Sequence, residues 1–243
     1  MILQDTIPYD VSTLARLPGV APFDMANWLH VDEAYAAQMD ERLRLLRTSR
    51  DRVLRLDDTA RPAAVEALRM VLAHLPMGFA QNVGWVRCPD GRHVALNWED
   101  PLGTLCQIVQ EDICILEKRG GAEHVLTGAV LCFPASWTLA EKYMRPLTRI
   151  HAPVASYDSA LAKRVQRLFD GVQPGKPLWR HNVLRYADPA LHQPRLEADP
   201  RDGDHPEAAP FIRSERQCLL RLPDTDAVIF SIHTYVTRSQ VNE

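Results

Sequence analysis

Nine histidines are the side chains of this sequence best suited to bind a metal or move a proton near neutral pH. His151 ends a segment of helical spacing, EKYMRPLTRIHAPV at 141–154, and comes directly before a proline-containing turn. No two histidines have the spacing that a zinc site requires. A single axial imidazole needs no second histidine, because a porphyrin supplies the other four nitrogens of a haem iron. The histidines therefore allow a haem site, although a core or surface position is the commoner fate of any one histidine.

A second group of reactive side chains lies in the last hairpin, which the pattern predicts to run through FIRSERQCLLRL, the turn PDTD and AVIFSIHTYV. A turn centred on residues 224 and 225 fixes its register. The predicted cross-strand pairs are Ser214–Tyr235, Arg216–His233 and Cys218–Ser231. Arg213 and Glu215 fall on the opposite face. The polar face is either solvated or lines a pocket, where Arg216 could bind a carboxylate or a propionate.

Lys142 and Arg145 precede His151 on a predicted helix. Their simplest interpretation is as surface charges, with Glu141 and Arg145 forming an i,i+4 ion pair of small value. As functional residues they would contact an anionic group at the rim of a pocket. Trp137 belongs either to the core or to the wall of such a pocket.

The elements that must position these residues are helices at the front of the chain and strands later. Helices are predicted at 34–56, from about residue 60 to Pro76, at 101–110, from Thr138 to about Pro146, and from Asp158 to Gly171. Hairpins are predicted around 89–91 and 120–121, and a strand at 178–186 precedes a loop at 187–210. This order predicts an α+β fold, with an antiparallel sheet flanked by helices and a helical N-terminal extension. We expect one domain, in which a helical segment at 1–80 packs on a core at 81–243.

Composition excludes several classes of function. The formal net charge of -3 provides no basic field for a nucleic-acid backbone or an anionic membrane surface. The five cysteines are scattered, without a Cys-x-x-Cys pair, which argues against a disulfide framework, a zinc ribbon and a protein-held iron–sulfur cluster. The G-x-G-x-x-G, P-loop, G-x-S-x-G and H-E-x-x-H motifs are absent. No uncharged run approaches the roughly 20 residues of a membrane helix, so we expect a cytoplasmic protein.

Several separate motifs, in order along most of the chain, resemble the haem-dependent oxidative N-demethylase α-subunit-like family. They are VQEDICIL at 109–116, CFPASWTLAEKYMRPLTRIHAPV at 132–154, RHN at 180–182, RSERQCLLRLP at 213–223 and AVIFSIHTY at 227–235. The N-terminal WLHVDEAY and the helix after it also fit. The resemblance implies a PAS-like fold, in which an antiparallel sheet and helices enclose haem.

The function that this resemblance implies is the O2-dependent oxidation of a small secondary amine, such as dimethylamine, to a primary amine and formaldehyde. We expect His151 to be the single axial ligand of a b-type haem, because a proline-rich turn after a helix can hold an imidazole rigidly; His181 and His124 are the alternatives. Arg213, Glu215 and Arg216 would stabilise charge on O2 or hold the amine. The other candidates for contact with the haem are Lys142, Arg145, His181, Trp137 and His233.

Electrons would come from a separate protein that carries flavin or an iron–sulfur cluster. The sequence departs from the family's pattern at Tyr143-Met144, where a glycine is usual, at Ala155 and Val183, and at His233, where an arginine is usual. These departures concern the substrate more than the haem. Two other functions fit the same scaffold: a non-catalytic haem-binding sensor or carrier, and a haem-free subunit that docks on a redox partner.

Overall fold

The computed structural model describes residues 1–12, 19–153, 157–199 and 209–239. The helices in this part of the chain are α1 (Tyr35–Thr48), α2 (Arg50–Val53), α3 (Arg61–Ala73), α4 (Pro101–Ile108), α5 (Leu139–Lys142), α6 (Leu147–Ile150) and α7 (Ser159–Gly171). The strands are β1 (Ala21–Pro22), β2 (Leu54–Leu56), β3 (Ala80–Gln81), β4 (Trp85–Arg87), β5 (His93–Ala95), β6 (Asp112–Lys118), β7 (His124–Val130), β8 (Leu178–Tyr186), β9 (Phe211–Arg221) and β10 (Val228–Arg238).

The main sheet has seven strands in the order β1-β8-β9-β10-β6-β7-β2, and every neighbouring pair is antiparallel. A separate sheet of three strands has the order β3-β4-β5. The predicted hairpins β4–β5, β6–β7 and β9–β10 are all present. Helices and antiparallel strands occur together in one chain, which confirms the α+β class. Both edge strands of the main sheet, β1 and β2, come from residues before 80, where only helix was predicted.

Local signals explain where three of the helices begin. The side chain of Asp158 accepts a hydrogen bond from the backbone N–H of Leu161 at 2.6 Å and so caps α7, as predicted. Pro62 lies in the first turn of α3, where its missing N–H costs nothing. Asp100 caps α4 through the backbone N–H of Gly103.

Two predicted helices are shorter than expected. The helix predicted at 34–56 ends at Thr48, continues only as the single turn α2, and gives way to β2. The helix predicted from Thr138 to about Pro146 is split into α5 and α6. Met144 has a positive φ of 57°, which is outside the helical region, and Pro146 disfavours a helical conformation at the residue before it. The split leaves His151 directly after the end of α6.

The two faces of β9 and β10 contact different parts of the chain. Face A carries Trp179 and His181 of β8, Ser214, Arg216 and Cys218 of β9, and Ser231, His233 and Tyr235 of β10. Face B carries Arg180 and Asn182 of β8, and Arg213, Glu215 and Gln217 of β9. One hydrophobic cluster joins face A to Trp28 and to α1, α3 and α4, and a second joins the opposite face to α5, α6 and α7.

Candidate functional site

The polar residues of face B surround one buried carboxylate. Glu215 is 5% exposed, and its Oε2 accepts hydrogen bonds from Asn182 Nδ2 at 2.8 Å and Gln217 Nε2 at 3.0 Å. Its Oε1 lies 3.9 Å from the guanidinium of Arg213. The amides of Asn182 and Gln217 therefore fix the plane of the carboxylate from one side. Of the three residues predicted to act on O2 or the amine, the structure brings Arg213 and Glu215 together.

Arg213 joins the strands of face B to the segments that pass beside it. Its terminal nitrogens donate to the carbonyl oxygens of Phe133 at 2.6 Å and Leu191 at 3.0 Å, and its guanidinium lies over the ring of Tyr186. These contacts hold Phe133 and Leu191 against β9. Because its terminal nitrogens already donate to backbone carbonyls, Arg213 has a positioning role in addition to its charge.

The residues just before Phe133 are held by a buried ion pair. Asp112, at the start of β6, accepts hydrogen bonds from Arg42 at 2.6 Å and from the backbone N–H groups of Cys132 and Phe133, both at 2.8 Å. Arg42 and Asp112 are almost completely buried. The pair therefore fixes the backbone that Arg213 contacts.

The environment of His151 favours a neutral imidazole in which one ring nitrogen is already hydrogen-bonded. Its Nδ1 lies 2.8 Å from the carbonyl oxygen of Leu147, which can only accept, so Nδ1 carries the proton. Burial lowers the pKa of His151, which keeps the ring neutral at physiological pH. Its ring stacks on Tyr157 at 4.4 Å with an angle of 14° between the planes. The remaining nitrogen, Nε2, therefore keeps the lone pair that a haem iron requires.

The other predicted haem contacts near His151 have different roles. Lys142 is buried, and its Nζ donates to the carbonyl oxygen of Ile150 at 2.6 Å and to Glu197 at 2.7 Å. It therefore stabilises the turn before His151 instead of reaching toward a ligand. Arg145 is exposed, and Trp137 is half-buried against the second hydrophobic cluster.

Arg216 lies on face A, away from Arg213 and Glu215. Its terminal nitrogens donate to the carbonyl oxygens of Trp28 at 2.9 Å and Asn27 at 2.6 Å, and the guanidinium lies between the rings of Phe23 and Trp179. The predicted pairing of Arg216 with His233 is confirmed. The N-terminal segment covers this part of the face, so Arg216 cannot share one pocket with Arg213 and Glu215.

His233 and His181, two further predicted haem contacts, also lie on face A. His233 sits between two carboxylates, with Nε2 3.0 Å from Asp32 and Nδ1 3.0 Å from Glu111. Burial, the largest single influence, lowers the pKa of His233, but the two carboxylates together outweigh it and raise the pKa to about 9. Both ring nitrogens therefore donate, and the side chain is an imidazolium. His181 packs at 4.9 Å from the ring of Tyr9.

Further contacts bring Tyr9, Trp28 and Gln38 to the strands of face A. Trp28 Nε1 donates to Ser231 Oγ at 2.9 Å, the hydroxyls of Tyr9 and Ser214 lie 2.8 Å apart, and Gln38 donates to the carbonyl oxygen of Thr234. The polar face that the hairpin register predicted is therefore not solvated. Where these residues cover it, it does not line a pocket either.

Several residues that shape face B were not predicted to be site residues. They are Arg180, Asn182, Gln217 and His192. The first three come together only when β8 pairs with β9, and the register of that pair could not be predicted from the sequence. His192 Nδ1 donates to the carbonyl oxygen of Cys132 at 2.8 Å, from a segment without regular structure. The motif RHN was the one signal that pointed to Arg180 and Asn182.

Two absences restrict the kinds of site in the described ranges. No group of three or more His, Cys, Asp or Glu side chains there could hold a metal ion. None of the helices assigned there has both the length and the apolar character needed to cross a membrane. A metal held mainly by protein side chains has no support in these residues, whereas the lone pair of His151 fits a haem iron.

A model of the family described as haem-dependent oxidative N-demethylase, alpha subunit-like, matches residues 19–241. The chain belongs to this family. The match covers all ten strands and all seven helices described above, including Trp28, which binds face A. The part of the chain that the family model matches therefore includes β1 and the helices before residue 80.

Proposed function

We propose that this chain binds a b-type haem through His151 and uses it to oxidise a small secondary amine with O2. The observation that carries the proposal is the state of His151. Its Nδ1–H donates a hydrogen bond to the carbonyl oxygen of Leu147, and stacking on Tyr157 fixes the orientation of its ring. Burial lowers the pKa of His151 and so keeps the imidazole neutral. A neutral imidazole with a fixed tautomer is the form that ligates haem iron. The family's haem dependence supports the same assignment.

Glu215 is the residue that we expect to bind the amine. A secondary amine is a cation at neutral pH, and Glu215 offers a carboxylate that is nearly buried, where charge interactions are stronger than in water. Asn182 and Gln217 both donate to Oε2. Oε1 is therefore the oxygen to which the amine N–H would donate, with Arg213 at 3.9 Å limiting the position of the carboxylate.

Bound haem would supply the redox chemistry, in which one O2, two electrons and two protons convert dimethylamine to methylamine, formaldehyde and water. The residues of the chain would bind the amine, hold its proton at Glu215 and exclude bulk water. The two electrons require a donor, and we propose a separate protein that carries flavin or an iron–sulfur cluster. We also propose a PAS-like arrangement of the sheet and helices around the haem, and a cytoplasmic location.

The first experiment is a haem titration followed by absorption spectroscopy. Wild type should develop a Soret band at stoichiometric haem, and His151→Ala should lose it. His74→Ala is the matched control, because His74, at the end of α3, also donates its Nδ1 proton to a backbone carbonyl, that of Met70. Equal spectra for wild type and His151→Ala would remove the axial assignment.

The second measurement is formaldehyde release from dimethylamine with a chemical reductant and O2. We expect release by wild type and a loss of at least about tenfold in Glu215→Gln, because the carboxylate that attracts the amine becomes neutral. Haem binding without formaldehyde release in wild type would favour the non-catalytic sensor or carrier. Unchanged release in Glu215→Gln would remove the role of Glu215.

A further inference from the structure

Arg180 is the arginine of face B whose charge is least compensated. It is half-buried, and it lies directly across from Gln217 in the β8–β9 pair. One terminal nitrogen donates to Gln217 Oε1, while Nε is shielded from solvent and has no hydrogen-bond partner among the described residues. No carboxylate within the described ranges forms an ion pair with it.

The other buried arginines differ in this respect. Arg42 binds Asp112 and three carbonyl oxygens, and Arg221 donates to the carbonyls of Phe169, Val172 and Asp226. Arg213 also has a nitrogen, Nε, without a partner in the described part of the chain, but its terminal nitrogens bind carbonyls and Glu215 lies 3.9 Å away. A guanidinium removed from water without such partners is costly, so Arg180 is suited to an anionic ligand.

The neighbours of Arg180 indicate what kind of anion. Glu215, Gln217 and Arg180 lie in a row, with the neutral amide of Gln217 bonded to both charged groups. Residues at these diagonal positions of an antiparallel pair are roughly 7–8 Å apart. A ligand that complements these three side chains carries a cationic amine opposite Glu215. It also carries a planar anion opposite the fork of Arg180, which is the pair of parallel N–H groups of its guanidinium. Carboxylates match that fork in bidentate geometry.

We propose that Arg180 is a carboxylate-binding residue of face B. The carboxylate has two sources that share this chemistry: a propionate of haem, or the carboxylate of a substrate that is an N-methylated amino acid. The inference rests on the proposed function, because that function places the amine at Glu215 of face B and the haem at His151, directly after the helix α6 that packs on the same side of the sheet. Burial lowers the pKa of Arg180, and an anion bound there would reverse that effect.

The first arm of the test uses haem and haem dimethyl ester, in which both propionates are esterified. If Arg180 binds a propionate, Arg180→Gln should weaken haem binding by at least about tenfold while leaving the binding of the dimethyl ester unchanged. Arg180→Lys should fall in between, because it keeps the charge but loses the fork. Arg87→Gln, an exposed arginine on β4, is the control for a change of charge in a strand.

The second arm measures binding of N-methylglycine and dimethylamine to the protein by isothermal titration calorimetry, with and without haem. If Arg180 binds the substrate carboxylate, Arg180→Gln should weaken the binding of N-methylglycine by at least about tenfold and leave the binding of dimethylamine unchanged. If wild type binds no haem, the proposed function fails, and binding of N-methylglycine to the haem-free protein decides the role of Arg180. Arg180→Gln and Arg180→Lys that fold, by circular dichroism, and match wild type in both arms would overturn the inference.

Discussion

The imidazolium of His233 should make the stability of this protein depend on pH in the alkaline range. A pKa raised from 6.5 to about 9 means that the folded state holds a proton that the unfolded state releases. The stabilisation is complete below pH 6.5 and is lost as the pH rises through about 9. Each tenfold change in the proton equilibrium is worth about 1.4 kcal/mol, so the total loss is about 3 kcal/mol. His233→Gln, which cannot take up this proton, should lose that dependence.

The assay is urea unfolding of wild type and His233→Gln between pH 6 and pH 10. The free energy of unfolding of wild type should fall by about 3 kcal/mol more than that of the variant over this range. At pH 6 the variant should be less stable, because Asp32 and Glu111 lose the cation between them. His93→Gln changes an exposed histidine of β5 and should behave as wild type. Parallel pH profiles for wild type and His233→Gln would refute the charged state of His233.

Two further predictions concern the segments beside face B. Asp112→Asn should lower the free energy of unfolding at pH 7 by about 3–5 kcal/mol, because it leaves the buried charge of Arg42 without its partner; a urea measurement showing less than about 1 kcal/mol would contradict this. Glu197→Gln should speed proteolytic cleavage within residues 187–199, because it removes the ion pairs with Lys142 and Arg149, and cleavage at the wild-type rate would show that these pairs do not hold the segment.

The last hairpin shows how much of this fold follows from local rules. Turn residues and alternation predict the register of β9 and β10, and all three predicted cross-strand pairs are present. The cap of α7 is equally local. The strands β1 and β2 were missed because two or three residues carry no periodic signal, and they form only where β8 and β7 offer an edge.

The candidate site was harder to predict, because its residues meet through pairings that are distant in sequence. The alternation of β9 separated Arg216 from Arg213 and Glu215, but it could not show that the N-terminal segment covers Arg216. Asn182 reaches Glu215 only after β8 pairs with β9. The position of His151 after a helix was predictable, whereas the state of its two nitrogens depended on the carbonyl of Leu147.

The most direct test of the haem site is rescue of a cavity variant with free imidazole. His151→Gly removes the side chain whose Nε2 is proposed to bind the iron, while the partner of Nδ1, the Leu147 carbonyl, remains. We expect His151→Gly to lose the wild-type spectrum of bound haem and to regain it when imidazole is added. A His151→Gly variant that keeps the wild-type spectrum without imidazole would show that His151 is not the axial ligand.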